Sequence, residues 1–114
     1  MEIIDKKISI NQLKKMAKQM FGTFVKGVVD IDKEIMAIDA ELHADQEMEL
    51  LKQGSKQNNL WGINLYPEFF GGKKFIEFDS MINIRPSQNN RSRSVDDKII
   101  QKKIIKVVNK LVKK

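Results

Sequence analysis

Hydrophobic and polar residues alternate strictly along two stretches of the chain, which is typical of a β-strand buried on one face only. One stretch spans residues 38–43 and the other spans residues 76–85. Their apolar positions are Ile38, Ala40, Leu42, Ile76, Phe78, Ile82 and Ile84. We therefore expect the opposite face of the sheet to be open to water or to a ligand. That face would carry carboxylates, one imidazole and one guanidinium.

Three other segments show the three-and-four spacing of amphipathic helices. The first follows Ser9, which begins a capping box, and it ends at Gly22. A short second helix is predicted from Asp45, and the last helix is predicted to be capped by Ser94 and to run to about Val112. The residues predicted to face inward from the second helix are Met48, Leu50 and Leu51.

Four strands are predicted between these helices, at about residues 24–31, 35–43, 60–66 and 75–85. Asp32, Lys33 and Glu34 form a polar turn between the first two, which predicts a β-hairpin. The expected fold class is α+β, with a four-stranded, mainly antiparallel sheet of two β-hairpins and three helices in the order α-ββ-α-ββ-α. We expect a single domain over residues 1–114, with the helices mostly on one face of the sheet.

Composition limits the cellular context. The 114 residues include no cysteine, and the N-terminus lacks the basic start and apolar run of a signal peptide. No apolar run approaches the roughly 20 residues that span a bilayer. A cytoplasmic protein without a transmembrane segment is therefore the expectation.

Charge is distributed unevenly along the chain. Residues 30–51 carry eight acids against one Lys, whereas residues 85–114 carry ten Lys or Arg against two Asp. In the last helix the lysines lie on the flank opposite the apolar face, with no acid among them. This pattern predicts binding to an anionic partner, either nucleic acid or an acidic protein. A merely solvated helix face is the alternative. The predicted anion-binding residues are Arg85, Arg91, Arg93, Lys103, Lys106 and Lys110.

The acidic strands predict a second kind of site. Side chains two apart on a strand point the same way and lie roughly 6.6 Å apart, so neighbouring carboxylates can share one cation. Together with an imidazole they suit Mg²⁺, Mn²⁺ or Zn²⁺. The candidate metal ligands are Asp39, Glu41, His43 and Glu77, and the candidate catalytic residues are Glu41, His43 and Asp79. A merely polar, solvated sheet face and direct ligand binding are the alternatives, and a salt-bridge network with Arg85 explains the same acids equally well.

No nucleophile motif, P-loop or dinucleotide fingerprint is present. The leading hypothesis is therefore a binding or regulatory module for an anionic partner. A metal-assisted hydrolase or nuclease is the second hypothesis, and a structural or protein-interaction domain is the third. Whether the protein is an enzyme stays open at this stage.

Three segments resemble an uncharacterised family of small bacterial proteins, a domain of unknown function. They lie at residues 40–45, 54–62 and 82–92, and the last reads Ile-Asn-Ile-Arg-Pro-Ser-Gln-Asn-Asn-Arg-Ser. The resemblance covers roughly residues 23–112. It implies a bacterial, single-domain, cytoplasmic protein, and it implies no catalytic residue, cofactor or partner.

Overall fold

Three helices and seven strands make up the fold in the computed structural model, which describes residues 1–114. In chain order they are β1 (Glu2–Ile4), β2 (Ile8–Ser9), α1 (Ile10–Gln19), β3 (Val25–Asp30), β4 (Ile35–Ile38), α2 (His43–Lys52), β5 (Leu60–Leu65), β6 (Ile76–Glu77), α3 (Lys98–Leu111) and β7 (Val112–Lys113). Five strands form an antiparallel sheet in the order β1-β4-β3-β5-β6. The α+β class and the three helices are thus confirmed, whereas the four-stranded sheet and the element order α-ββ-α-ββ-α are not exact, because the structure adds short strands before α1 and after α3.

The β3-β4 hairpin is held by the side chain at the end of β3. Asp30 Oδ1 accepts hydrogen bonds from the backbone N–H groups of Asp32 and Lys33, each at 2.9 Å. Its other oxygen accepts from the Ser55 hydroxyl at 2.6 Å. Glu34 closes the turn with a left-handed backbone at φ 57°. An aspartate that satisfies the turn's donors in this way explains why a buried carboxylate is retained there.

The two chain ends meet in a second, parallel pair of strands, in which Ile8 pairs with Val112 and Ser9 with Lys113. This pairing places the start of α1 beside the end of α3. The predicted capping box of α1 is confirmed, because Ser9 Oγ accepts from the Gln12 N–H at 3.1 Å and Gln12 Oε1 accepts from the Ser9 N–H at 2.9 Å. The α1 helix ends at Gln19, and Gly22 supplies the predicted C-terminal stop, with a left-handed φ of 94° and an N–H that donates to the Ala17 carbonyl at 2.6 Å.

The core lies on both faces of the sheet. On the larger side, α1 and α3 pack against alternate residues of β3 and β5, including Val29, Trp61 and Ile63. On the other side, Leu50 of α2 packs on Val28, Ala37 and Leu60. Two of the three helices thus lie on one face, as expected, but the opposite face is wrongly predicted to be entirely polar, since α2 packs on an apolar cluster there. Successive strand residues alternate between faces, and the α2 face of β3 and β5 carries the apolar Val28 and Leu60 together with the polar Lys26, Asp30 and Asn64.

The predicted fourth strand over residues 75–85 is mostly not a strand. Only Ile76–Glu77 pairs with β5, and the chain then forms two 3₁₀ turns at Met81–Asn83 and Pro86–Gln88. Ser80 starts the first turn by accepting from the Ile82 N–H at 3.3 Å. Likewise, β4 ends at Ile38 because Asp39 has a left-handed φ of 64°. Alternation alone did not distinguish these turns from extended strands.

Two helix starts also differ from expectation. The α2 helix begins at His43 rather than Asp45, and α3 begins at Lys98, where Asp97 rather than Ser94 accepts the capping hydrogen bond. Leu50 is fully buried as predicted, but Met48 and Leu51 are 55% and 40% exposed. None of the three helices has the length and apolar character needed to cross a bilayer.

Candidate functional site

The candidate metal ligands are spread along the molecule. Two strands, β3 and β5, lie between β4 and β6, which places β4 about 14 Å from β6 at the usual strand spacing. Asp39 and Glu41 follow β4, whereas Glu77 lies in β6. No group of three or more His, Asp or Glu side chains lies close enough to hold a metal ion. The structure therefore does not bring Asp39, Glu41, His43 and Glu77 together.

His43 is a buried helix residue rather than the end of a strand. Its side chain is only 8% exposed, and its Nε2 lies 2.8 Å from the Ile63 carbonyl oxygen. Since that oxygen can only accept, Nε2 carries the proton. Burial lowers the pKa of His43 below its ordinary value of 6.5, the positive charges of Lys26 and Arg93 act in the same direction, and the Ile63 carbonyl and Asp79 oppose them. The ring is therefore neutral near pH 7.

A row of polar side chains crosses three strands near His43. Lys26 of β3 is paired with Asn64 of β5, which is paired with Glu77 of β6. Glu77 Oε1 accepts from Asn64 Nδ2 at 2.9 Å and from the Tyr66 hydroxyl at 3.0 Å. Burial, followed by the bond to Glu77, raises the pKa of Tyr66 above its ordinary value of 10.0. The Tyr66 hydroxyl is thus a donor at any physiological pH.

The three arginines have different surroundings. Arg85 is only 9% exposed. Its guanidinium donates hydrogen bonds to the Gln57 carbonyl and, at 2.6 Å, to the Leu60 carbonyl. The same group lies 4.1 Å from the centre of the Trp61 ring. Arg93 is exposed and pairs with Asp79 at 2.7 Å. Arg91 is exposed and forms no ion pair. Of the three guanidinium groups, only that of Arg91 is both exposed and unpaired.

The segment 80–94, which holds the arginines, covers the part of β5 that β6 leaves open. Asn90 Nδ2 lies 2.7 Å from the Asn83 carbonyl oxygen and 2.8 Å from that of Ser94, and Asn90 Oδ1 accepts from the Asp96 N–H at 2.8 Å. Asn83 and Asn90 are both nearly fully buried. The Asn side chains of this segment therefore have a structural role, since they form hydrogen bonds with its backbone.

The basic residues of α1 and α3 form a lysine-rich layer on the outer side of these two helices. Neither helix contains an acidic residue. Their lysines are all exposed: Lys14, Lys15, Lys18, Lys98, Lys102, Lys103, Lys106 and Lys110. Of these, only Lys110 forms an ion pair, with Glu34 at 3.2 Å. Most lysines of this layer therefore have no carboxylate within ion-pairing distance.

Two surface cavities border the lysine-rich layer. One, of about 260 Å³, is lined by Lys103 and Lys106 together with Ile31, Asp32, Glu34, Asn59 and Val107. The other, of about 550 Å³, is lined by Lys110 and Leu111 together with Asp5, Lys6 and Lys7. The predicted anion-binding lysines thus lie at concave parts of the surface, and Lys6 and Lys7 extend the layer beyond α3. The residue spacing within α3 gave no indication of that extension.

The opposite side of the sheet has the reverse charge. Within α2, Asp45, Glu47 and Glu49 outnumber Lys52. Burial raises the pKa of Glu47 above its ordinary value of 4.5, and the positive charge of Arg85 opposes this shift. The molecule therefore has a basic helical layer on one face of the sheet and an acidic helix on the other. Composition predicted the segregation along the chain, and the sheet separates the two regions in space.

The chain belongs to the family described as "Protein of unknown function (DUF5674)", whose sequence model matches residues 2–111. The match starts at β1 and reaches the end of α3, so it extends further toward the N-terminus than the three resembling segments. A search of curated proteins and a search of solved structures each found no match. Membership confirms the predicted resemblance to a domain of unknown function.

Proposed function

We propose that this member of the DUF5674 family is a nucleic-acid-binding module, which contacts the phosphate backbone through the lysine-rich layer of α1 and α3. The observation that carries the proposal is the arrangement of charge: eight exposed lysines on two helices without a single acid, of which only Lys110 is ion-paired. Unpaired cations at a protein surface are available to replace the counterions of a polyanion. The predicted cytoplasmic location would give this surface access to nucleic acid.

The geometry of α3 suits an extended anion better than a single phosphate. Lys102, Lys106 and Lys110 follow one another at four-residue intervals, so they lie along one side of the helix about 6 Å apart. The helix itself is about 21 Å long. A row of charges of this length matches a polymer with regularly spaced phosphates. Because lysine supplies a point charge without base recognition, we expect binding to depend weakly on base sequence.

The proposal is tested by the salt dependence of binding to a fluorescently labelled 20-base-pair duplex, measured by anisotropy. The test variant is the double substitution Lys103→Glu/Lys106→Glu, which changes two lysines that line one cavity. The matched control is Lys52→Glu/Lys56→Glu, which makes the same charge change at exposed positions in and after α2. Circular dichroism verifies that both variants are folded.

We expect log Kd of the wild type to rise linearly with log salt concentration, with a slope of about 0.9 per phosphate contacted. The test variant should bind at least tenfold more weakly and lose about two units of that slope, whereas the control should keep most of the affinity. Equal losses in the two variants, or no binding at 50 mM salt, would contradict the proposal. Tighter binding of poly-glutamate than of the duplex would contradict it as well, because it would identify an acidic protein as the partner.

A further inference from the structure

We infer that the cleft lined by Tyr66 and Phe69 is a subsite for one base of a single-stranded nucleic acid. This inference rests on the proposed function and specifies its ligand. The cleft has a volume of about 310 Å³ and is lined by Tyr66, Phe69, Lys74, Ile76 and Glu77. Two aromatic rings, one apolar side chain, one cation and one carboxylate are the groups that recognise a planar, polar-edged ring attached to a phosphate.

The aromatic wall of the cleft is the end of a longer row. The ring centroids of Phe21 and Phe24 are 4.7 Å apart, those of Phe24 and Tyr66 are 5.5 Å apart, and those of Tyr66 and Phe69 are 6.4 Å apart. Phe21 and Phe24 stack on each other, whereas Phe69 is 47% exposed. The packed rings hold Tyr66 in place, and Phe69 offers an exposed ring for stacking. A base stacked on such a ring gains affinity whatever its identity.

Lysines flank this row at both ends. Lys26 Nζ lies 5.2 Å from the Phe21 ring centroid, and Lys74 Nζ lies 5.9 Å from the Phe69 ring centroid. Neither lysine is paired with a carboxylate. Each ammonium group is therefore available to a phosphate beside the rings. The two positive charges beside the rings attract a phosphate and contribute nothing to the binding of an uncharged apolar ligand. They therefore favour a nucleotide.

The carboxylate of Glu77 can distinguish among the bases. Its Oε1 accepts from Asn64 and Tyr66, which orients the carboxylate, and its Oε2 accepts no hydrogen bond within the protein. A carboxylate oxygen can accept from the exocyclic amino group of adenine, cytosine or guanine. Thymine has no such amino group. The cleft is therefore expected to favour amino-bearing bases over thymine.

A neighbouring groove connects the cleft with the lysine-rich layer. The groove has a volume of about 390 Å³ and runs from Ile105 and Asn109 of α3 to Ile76. Ile76 also lines the cleft, so the two cavities adjoin. Lys73 lies along the groove, and Lys102 lies one helical turn before Ile105. A strand that lies on α3 can thus follow this groove and stack one base on the exposed Phe69 ring.

Duplex DNA cannot use the cleft, because its bases are stacked and paired inside the double helix. The test therefore compares 20-mers of oligo(dA) and oligo(dT) with the 20-base-pair duplex, again by anisotropy. The variants are Phe69→Ala and Glu77→Gln, and the control is Met48→Ala, which truncates a 55% exposed side chain on α2, away from the proposed contact surface. The Lys103→Glu/Lys106→Glu variant is measured in parallel to report on the proposed function.

We expect Phe69→Ala to weaken oligo(dA) binding at least about fivefold, the lower limit for loss of one stacked base, and to leave duplex binding within about twofold. Glu77→Gln should reduce the preference for oligo(dA) over oligo(dT). The control should change neither ligand's affinity. The inference is overturned if Phe69→Ala has no effect, or weakens the duplex and oligo(dA) equally. In that case a loss of binding in the lysine variant would still support the proposed function, whereas no binding in any protein would overturn both.

Discussion

The side-chain amide of Asn83 forms two hydrogen bonds with the backbone of Gly62, accepting from its N–H at 2.8 Å and donating to its carbonyl at 3.0 Å. One side chain thereby takes the place of a strand residue at the open edge of β5. An exposed strand edge is a template for pairing with another chain, and this arrangement removes it. Gly62 and Asn83 therefore define how the segment 80–94 attaches to the sheet.

Substitution of Asn83 by Ala is expected to destabilise the fold by about 3 kcal/mol, because it leaves the buried N–H and carbonyl of Gly62 without partners. The bond from Asn83 to the Arg93 carbonyl at 3.0 Å is lost as well. Urea unfolding followed by Trp61 fluorescence measures the effect. The control Asn58→Ala, at an exposed position, should change the stability by less than about 0.5 kcal/mol. Equal stability of Asn83→Ala and the control would show that the pairing contributes little.

The same segment lies too close to Gly62 for any side chain. A Cβ atom at residue 62 would lie 2.4 Å from Ser80 Cβ and 2.5 Å from Ser80 Oγ. Gly62→Ala should therefore destabilise the protein by about 1–3 kcal/mol through overpacking. In a Ser80→Gly background the same substitution should cost about 1 kcal/mol less, since the clashing atoms are gone. Additive losses in the double mutant would contradict this assignment of the clash.

The burial of His43 predicts a dependence of stability on pH. Its pKa is lowered in the folded state, so the unfolded chain binds the proton at a higher pH. The contribution of His43 to the free energy of unfolding is complete above about pH 6.5. As the pH drops below that value, the free energy of unfolding falls by at most about 1.4 kcal/mol per pH unit. Urea unfolding at pH 7.5 and 5.5 should show this loss in the wild type and a smaller loss in His43→Gln. The same loss in both proteins would exclude His43 as the cause.

Arg85 is predicted to act in folding rather than in anion binding at the surface. Arg85→Lys removes the planar group above Trp61 and at least one of two donors to the backbone carbonyls, so we expect a loss of about 2 kcal/mol of stability. Duplex affinity of the folded variant should stay within about twofold. The exposed Arg91→Lys serves as control and should alter neither stability nor fold. A large loss of affinity at unchanged stability would instead return Arg85 to the anion-binding surface.

The structural elements that depend on short stretches of adjacent residues were predictable from the sequence. The Ser9 capping box and the hairpin turn at residues 32–34 each depend on a few neighbouring residues, and each is found in the structure. Residues 80–85 were not predictable in the same way. Their alternating pattern resembles a strand, but buried side chains such as Asn83 satisfy the backbone of β5 instead of a ladder. Such bonds join residues about 20 positions apart, and no local pattern reports them.

The amino-acid sequence by itself determined the α+β class, the amphipathic helices and the uneven charge, because these follow from residue spacing and composition. The tertiary structure alone decided which charges share a surface. The strand order placed two strands between the acidic segments after β4 and in β6, which separates the candidate metal ligands. The tertiary structure also placed the ring centroids of Phe24 and Tyr66 5.5 Å apart. It placed Ile76 in the same groove as Ile105 and Asn109 of α3. Pairing between distant strands is a collective result of burying both faces of the sheet, so it could not be deduced from any one segment.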